Sequence, residues 1–379
     1  MSNAQNFVQY KWWIHISIYS IFVLSGQAIG TLLGKLYFNK GGNNIWLASL
    51  LQNIGFPILI PFLLLSSTNN NNNNFDNRVV RVSFHAPELN RRNTRPAFLV
   101  LVPLYVSLGL FLGGNCMLYS IGQFYLPATT YTLLCTSQLG FNAFFSFFLN
   151  KQKINYFILN SLVLLTISSS LLLFQKNEYD DTNNTNKITK RKYIIGFVCT
   201  LAASAGYGLM LSLTRLAFEK IFKTESLRLV VEIAMYESLV ASIGNAVAVF
   251  ASGGWRDLEQ EMNEFELGKK SYVLNLVGTA ICWQVFTVGS NGLIFMVSSL
   301  FCNVISIVGV PMAPVLCVVF LHEKVSGVKV VSVVLAMWGF LSYMYQHYQA
   351  EKRNGSMYEV SRFQTGSHEG PEASPGSVT

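Results

Sequence analysis

Charged side chains are scarce in this sequence, and their distribution is uneven. Only 12% of the 379 residues are charged, whereas about 25% are charged in a typical soluble domain. Ten apolar runs of 19 to 24 residues contain only two charged residues, Glu232 and Glu237. Soluble helices of this length keep a polar face, so an ordinary soluble domain is excluded. The runs are 12–33, 45–65, 97–119, 127–149, 154–174, 193–213, 229–251, 272–295, 297–320 and 330–348.

Several motifs of other membrane-protein classes are also missing. There is no Walker A glycine loop and no sequence like a selectivity filter, which argues against an ATP-driven pump and a channel. All six cysteines lie inside apolar runs without the spacing of metal ligands. The only histidines within the runs, His15 and His347, stand near their ends without HExxH spacing. We therefore expect no metal, no cofactor and no enzyme activity.

The apolar runs that are present have the length of membrane-spanning helices. A helix rises about 1.5 Å per residue, so about 20 residues cross a hydrocarbon core of about 30 Å. The sequence thus predicts an all-α polytopic membrane protein with ten transmembrane helices. Prolines at 57, 61, 103, 311 and 314 predict kinks in the second, third and ninth helices.

The net charge of +8 does not indicate nucleic-acid binding, because the basic residues flank the runs. Arg91, Arg92 and Arg95 form one such group, and residues 190–192 form another. Anionic lipid headgroups attract basic residues at these positions. The partner that we expect for this charge is the lipid bilayer.

Short matching segments indicate an internal repeat. Residues 25–38 can be aligned with 205–218, residues 112–119 with 288–295, and residues 147–153 with 319–324, in the same order. The repeat unit contains five helices, and five is odd, so the second copy enters the membrane from the opposite side. The sequence thus predicts two inverted five-helix repeats, which are typical of secondary transporters.

The predicted organisation follows from these runs and repeats. Basic residues favour a cytoplasmic N-terminus, with eight inside and two outside in the first half, although the second half disagrees. Ten spans then place both termini in the cytoplasm. The predicted segments are the N-terminus 1–11, the first repeat 12–174 with an asparagine-rich loop at 66–96, the connecting loop 175–192, the second repeat 193–348 and a disordered tail 349–379.

Polar residues inside the runs form candidate substrate-binding faces. Gln284, Thr287 and Asn291 stand at i, i+3 and i+7 on one helical face, which Trp283 flanks. Amides beside aromatic rings suit a flat heteroaromatic ligand, because a carboxamide matches the N6/N7 edge of adenine and rings stack on bases. The alternative is that these amides hydrogen-bond helix to helix. The further candidates are Tyr131, Gln138 and Asn142 at i, i+7 and i+11, together with Asn115, Tyr119, Asn303, Ser306 and Gln27.

The two intramembrane carboxyl groups are candidates for proton coupling. Glu237 lies near the middle of run 229–251, where an ionisable group is costly and indicates a function. Glu232 lies five residues earlier, about 140° round the helix, and closer to the interface. The alternative for each is a structural hydrogen bond to a neighbouring helix.

Three segments resemble the plant purine permeases of the drug/metabolite transporter superfamily. They are YLPATTYTLLCTSQLGFNAFFSFFLNKQK at 125–153, ICWQVFTVGSNGLIFMVSSLFCNVIS at 281–306 and VSVVLAMWGFLSYMYQHY at 331–348. The resemblance extends from Trp12 to Tyr348, and its motif covers Trp283, Gln284 and Asn291. It implies ten helices in two repeats and proton-coupled uptake of adenine, cytokinins or related nitrogen heterocycles. Similar proteins carry alkaloids or vitamin B6 compounds.

The predicted function is therefore a proton-coupled permease for purine-type heterocycles, in the plasma membrane or alternatively an endomembrane. A nucleotide-sugar carrier of the same superfamily is less favoured, because no Lys or Arg lies within the runs to pair with phosphates. A membrane enzyme is also less favoured, because the apolar runs hold no catalytic constellation of residues. A non-transporting receptor and the oligomeric state stay open at this point.

Overall fold

The structure, a computed structural model, describes residues 2–68, 98–126, 134–151, 156–171, 190–222 and 227–309, together with Tyr131 and some positions between 327 and 349. The asparagine run at 69–74, the connecting loop, the C-terminal tail and Pro311 and Pro314 lie outside the described residues. The described part is helical and contains no β-strand.

The helices follow the apolar runs closely. Six of them are long and apolar enough to cross a membrane, and three shorter apolar helices lie within further predicted runs. The chain is therefore a multi-pass helical membrane protein. The helices are α1 (Ser2–Asn39), α2 (Ile45–Leu51), a 3₁₀ turn (Phe56–Leu59), α3 (Ile60–Thr68), α4 (Phe98–Tyr125), α5 (Gln138–Leu149), α6 (Tyr156–Leu171), α7 (Lys190–Ala217), α8 (Leu227–Ala251), α9 (Leu258–Glu264), α10 (Lys269–Met296) and α11 (Ser299–Gly309).

The described helices bury polar groups and expose apolar ones, as a protein in lipid does. Leu99 and Leu274, for example, are 84% and 73% exposed, whereas Asn142 and Asn303 are fully buried. Lipid is as apolar as leucine, so burying apolar surface does not drive these helices together. Close packing and hydrogen bonds between helices hold the bundle instead.

The second predicted span is broken near its middle, next to α10. Helix α2 ends at Leu51, and the chain turns before the 3₁₀ turn that contains Pro57. A Cβ atom on Gly55 would lie 2.4 Å from the carbonyl oxygen of Ala280, so only glycine fits this close approach. Helix α4, by contrast, continues through Pro103. Broken helices in transporters expose backbone groups that line a cavity.

Helices α1 and α10 pack antiparallel along most of their length. Cβ atoms on Gly26 and Gly292 would lie 2.6 Å from the Cys282 carbonyl oxygen and from the Tyr19 ring. Such small residues let two helix backbones approach closely within a membrane. The polar face of α10 lies on the other side of the helix, where Gln284 meets Gly55 of the broken second span and Asn291 meets α8.

Two polar contacts fix the ends of α10. At its first end, Asn275 donates to the carbonyl of Leu33 at 3.1 Å. At its last end, the Arg215 guanidinium of α7 donates to the carbonyl oxygens of Ile294 and Phe295 at 2.7 and 3.1 Å. A cation is favourable there, because carbonyl groups at a helix C-terminus lack intrahelical partners.

Candidate substrate and coupling site

The centre of the candidate site is a hydrogen bond between Glu237 of α8 and Asn291 of α10. The Asn291 Nδ2 group donates to Glu237 Oε1 at 2.5 Å, and both side chains are at most 2% exposed. The second carboxyl oxygen, Oε2, has no hydrogen-bond partner among the described residues. The predicted proton-coupling residue thus contacts the predicted substrate face directly.

Gln284 stands two turns from Asn291 on α10, and its amide has no hydrogen-bond partner among the described residues. The side chain is 2% exposed, and neither Oε1 nor Nε2 makes a hydrogen bond within the described part of the chain. Its Cβ lies beside Gly55, where the second span is broken. A buried carboxamide without partners costs about 1–3 kcal/mol. Gln284 is therefore the amide best suited to contact a ligand.

The two other predicted residues of this α10 face have different surroundings. The Thr287 hydroxyl donates to the carbonyl of Trp283 at 3.0 Å, one turn earlier in the same helix. The Trp283 indole packs against Phe286 edge to face and lines a small cavity. The structure therefore brings Trp283 to a cavity, while the hydroxyl of Thr287 is bonded within its own helix.

The predicted α5 face has its amides occupied by neighbouring helices. Gln138 Nε2 donates to Asn303 Oδ1 at 3.0 Å, and Gln138 Oε1 accepts from the Tyr119 hydroxyl at 3.1 Å. Asn142 Nδ2 donates to the Ser299 carbonyl at 3.0 Å, and its Oδ1 accepts from Ser146 and Ser212. These bonds match the helix-to-helix alternative. Substrate binding by Gln138 and Asn142 stays a prediction.

The remaining predicted residues lie at separate places in the bundle. Tyr131 meets Tyr119 edge to face, with ring centroids 6.3 Å apart. The Asn115 side chain is 5% exposed, and its Oδ1 faces Gly206 of α7. Glu232 is half-buried on α8. Gln27 accepts a hydrogen bond from Ser306 at 2.6 Å, joining α1 to α11. Roles for Tyr131, Asn115 and Glu232 stay predictions.

A small cavity lies between α1, α2, α4 and α10. It brings together two amides that the sequence patterns did not single out, Gln52 and Gln123, with Trp283. Its volume of about 10 Å³ admits about one water molecule. The described conformation is therefore closed to a purine at this point. The other lining residues are Gly30, Gly34, Tyr37, Ala48, Leu51 and Thr279.

A second buried carboxylate accepts a hydrogen bond from Tyr37, one of the residues that line this cavity. Glu261 of α9 is 8% exposed, and its Oε1 accepts from the hydroxyls of Tyr37 and Tyr272 at 2.5 and 3.0 Å. Its Oε2 accepts from the backbone N–H of Asn43 at 3.2 Å. These four residues are called the Glu261 cluster below. Sequence reasoning missed Glu261, because it stands among five acids in a polar segment outside the apolar runs.

These features follow one another along helix α10. Tyr272 belongs to the Glu261 cluster, Thr279 and Trp283 line the cavity, Gln284 is the unpartnered amide and Asn291 contacts Glu237. The 19 residues from Tyr272 to Asn291 span about 28 Å of helix. One helix thus passes the Glu261 cluster, the small cavity and the buried Glu237 carboxyl group. Such an arrangement can line a pathway for a small polar heterocycle.

Comparisons with known proteins identify the family of the chain. A family model for purine nucleobase transmembrane transport matches residues 14–353. The chain is 48% identical over 364 residues to probable purine permease 10 of Arabidopsis thaliana, covering 96% of this chain and 88% of that protein. It is 47% identical to purine permease 21 of the same organism, with the same coverage.

A solved structure supports the fold at a greater distance. A protein crystal structure that is 14% identical in sequence superimposes on 86% of this chain and 97% of its own, with a TM-score of 0.56. That likeness concerns the fold alone. The family model and the relatives cover nearly the whole chain, and the chain therefore belongs to the purine permease family of purine nucleobase transmembrane transporters.

Proposed function

We propose that the chain is a proton-coupled secondary transporter that carries purine nucleobases, cytokinins or related nitrogen heterocycles across the plasma membrane. Its family makes it a transporter of a small purine-type substrate and not an enzyme. Proton coupling is the part of this proposal that goes beyond the family. The observation that carries it is the hydrogen bond between Glu237 and Asn291, which joins a buried carboxyl group to the candidate substrate helix.

The physical basis of coupling is the cost of moving a charge through the membrane. A charged carboxylate is expensive in hydrocarbon. The change of conformation that exposes Glu237 first to one side and then to the other is therefore easier when Glu237 is the neutral acid. The Asn291 amide donates to the carboxylate. Once protonated, Glu237 can itself donate, which changes the bond that α10 makes to α8. Protonation and the position of the substrate helix are thereby linked.

The proposed architecture is ten helices in two inverted five-helix repeats, 12–174 and 193–348, joined by the connecting loop. The packing directions of the described helices support it. Helices α4 and α8 run parallel, with Gly109 facing Val240 and Gly113 facing Ala241, while α1 and α10 run antiparallel. These directions are those that ten alternating spans require.

We propose that both termini face the cytoplasm. The basic residues of the first half support this orientation, with eight inside and two outside. The end of α1 and the segment that contains α9 lie on one side of the bundle, as Lys40 bonds to Glu266 at 2.8 Å, and this proposal places that side outside. We expect epitope tags on either terminus to bind antibody only after the plasma membrane is permeabilised. Labelling of either tag on intact cells would refute this orientation.

Radiolabelled adenine uptake tests the proposed function. The chain is expressed in cells without their own base carrier, and uptake is measured at several external pH values, with and without a protonophore. We expect uptake to rise as the external medium is acidified and accumulation to collapse with the protonophore. Uptake that changes neither with external pH nor with the protonophore would indicate a permease without proton coupling. A competition panel of alkaloids, vitamin B6 compounds and nucleotide sugars separates the alternative substrates, and a receptor would show no uptake.

A further inference from the structure

The cavity beside Trp283 has the features of a base-binding chamber. Gly30 and Gly34 form one wall, and a Cβ atom on Gly30 would lie 3.0 to 3.3 Å from the Trp283 indole. Gly30 therefore packs directly against the indole in this closed conformation. Trp283 also lines the cavity, and an aromatic ring offers a surface on which a heterocycle can stack once room is made for it.

Two amides from different helices complete this chamber. Gln52 stands just after α2, where the second span breaks, and Gln123 stands on α4. Gln52 Nε2 donates to the Ser120 hydroxyl at 3.0 Å. Gln123 Nε2 reaches the carbonyl of Thr31 only at 3.5 Å, which is the outer limit of a hydrogen bond. Gln123 is therefore weakly held and free to take a better partner.

The chamber lies beside α10, between the two buried carboxyl groups. Tyr37 lines the chamber and donates to Glu261 of the Glu261 cluster. Trp283 is eight residues, or about 12 Å along the helix, from Asn291 at the Glu237 contact. A base held in the chamber would therefore lie between the Glu261 cluster and Glu237.

We propose that Gln52 and Gln123 are specificity-determining residues, whose amides bind the heteroatom edge of the base while its ring stacks on Trp283. The inference rests on the proposed function and adds the residues that select the substrate. A carboxamide offers a donor and an acceptor side by side, which is the pattern of the N6/N7 edge of adenine. The base enters when the chamber opens, because the closed volume admits only about one water.

The test replaces each amide by methionine, which has similar length and volume but cannot form these bonds. For Gln52→Met and Gln123→Met, we measure the KM of radiolabelled adenine uptake per molecule at the cell surface. We also measure inhibition by adenine and by unsubstituted purine, which lacks the 6-amino group. Each substitution is expected to raise the adenine KM by about three- to tenfold and to reduce the preference for adenine over purine.

Ser120→Ala is the matched control. It removes the bond of Gln52 to Ser120 but leaves the amide in place, with its second bond to the Ala48 carbonyl at 3.4 Å, so it should keep the wild-type KM and preference. The inference is wrong if both methionine variants keep the wild-type values, or if Ser120→Ala reproduces Gln52→Met. If the wild-type chain takes up no base, the proposed function fails first and this inference falls with it.

A second pair of variants serves if a methionine variant does not reach the surface. Gln52→Asn keeps the amide but draws it back by one methylene group. Gly34→Ala places a Cβ atom 3.2 Å from Gln123 Nε2, so the amide must shift by a few tenths of an ångström, and the methyl group narrows the cavity that Gly34 lines. Both should raise the adenine KM and weaken the preference over purine. Wild-type values in both would overturn the inference.

Discussion

Glu261 and Glu237 are both buried carboxyl groups, yet they have different surroundings. Glu261 accepts three hydrogen bonds, from two tyrosine hydroxyls and one backbone N–H. Glu237 accepts one, from Asn291, and its second oxygen has no partner among the described residues. Burial is thus shared by both groups, and the number of partners is what differs. This difference fits the proposed coupling role of Glu237, because a group that gains and loses a proton needs an uncommitted oxygen.

The largest effect is expected at Glu237. Glu237→Gln keeps the shape of the protonated acid and removes the exchangeable proton. This variant should reach the surface and bind or exchange adenine, but it should lose pH-driven accumulation, measured as the steady-state ratio of inside to outside label. A protonophore should then make no further difference.

Glu261→Gln is the matched control for this experiment, since it makes the same change in a carboxyl group with three donors. It should keep the wild-type dependence of accumulation on pH. If Glu237→Gln still concentrates adenine with that dependence, the proton passes elsewhere, and Glu232 becomes the next candidate.

Two buried amides, Gln284 and Gln138, differ in the same way, and the second-largest effect is expected at Gln284. Within the described part of the chain the Gln284 amide has no hydrogen-bond partner, whereas both ends of the Gln138 amide are bonded. Gln284→Ala should weaken adenine affinity by about five- to 150-fold, or roughly 1–3 kcal/mol, with surface levels nearly unchanged. Gln138→Ala should instead lower the amount of folded protein. Wild-type affinity in Gln284→Ala would favour a packing role for this residue.

A smaller effect is expected within the Glu261 cluster. Tyr37→Phe removes a hydroxyl that donates to a buried carboxylate, a bond worth about 1.5–3 kcal/mol. The apparent unfolding temperature of the detergent-purified protein should fall by a few degrees, and Tyr272→Phe should act in the same direction. An unchanged unfolding temperature in both variants would show that the cluster does not stabilise this end of the bundle.

The smallest effect is expected at the rim of the same cluster. Lys40 and Glu266 form an ion pair whose side chains are 37% and 59% exposed. Exposed pairs contribute about 0–1 kcal/mol. Lys40→Ala should leave both adenine uptake and the unfolding temperature within error of wild type. A clear fall in either would mean that this ion pair does more than an exposed pair normally does.

Part of the candidate site could be predicted from the sequence. Glu237 and Gln284 were found because a polar residue in a long apolar run is conspicuous, and both are buried in the structure. Gln52 is also a polar residue in a long apolar run, but it belongs to no regular spacing of amides. Gln123 lies beyond the end of its run. Neither therefore formed a pattern of its own. Only the packing of α2 and α4 against α10 shows them in one cavity.

The α5 face shows the limit of a helical pattern. Gln138 and Asn142 have spacing as regular as that of Gln284 and Asn291, yet their amides bond to α11 and α7. Helical spacing states which residues share a face. It does not state whether that face meets another helix or a cavity, because that depends on elements far away in the chain.

The sequence by itself determined that this protein is a helical membrane protein and where the six long apolar helices of its described part lie. Length and hydropathy are sufficient for that, since each segment responds to lipid on its own. The tertiary structure decided which polar groups are paired. Glu237 and Asn291 are 54 residues apart, and Gln138 and Asn303 are 165 apart. A hydrogen bond needs its two groups within about 3 Å, and only the packed bundle brings such distant residues that close.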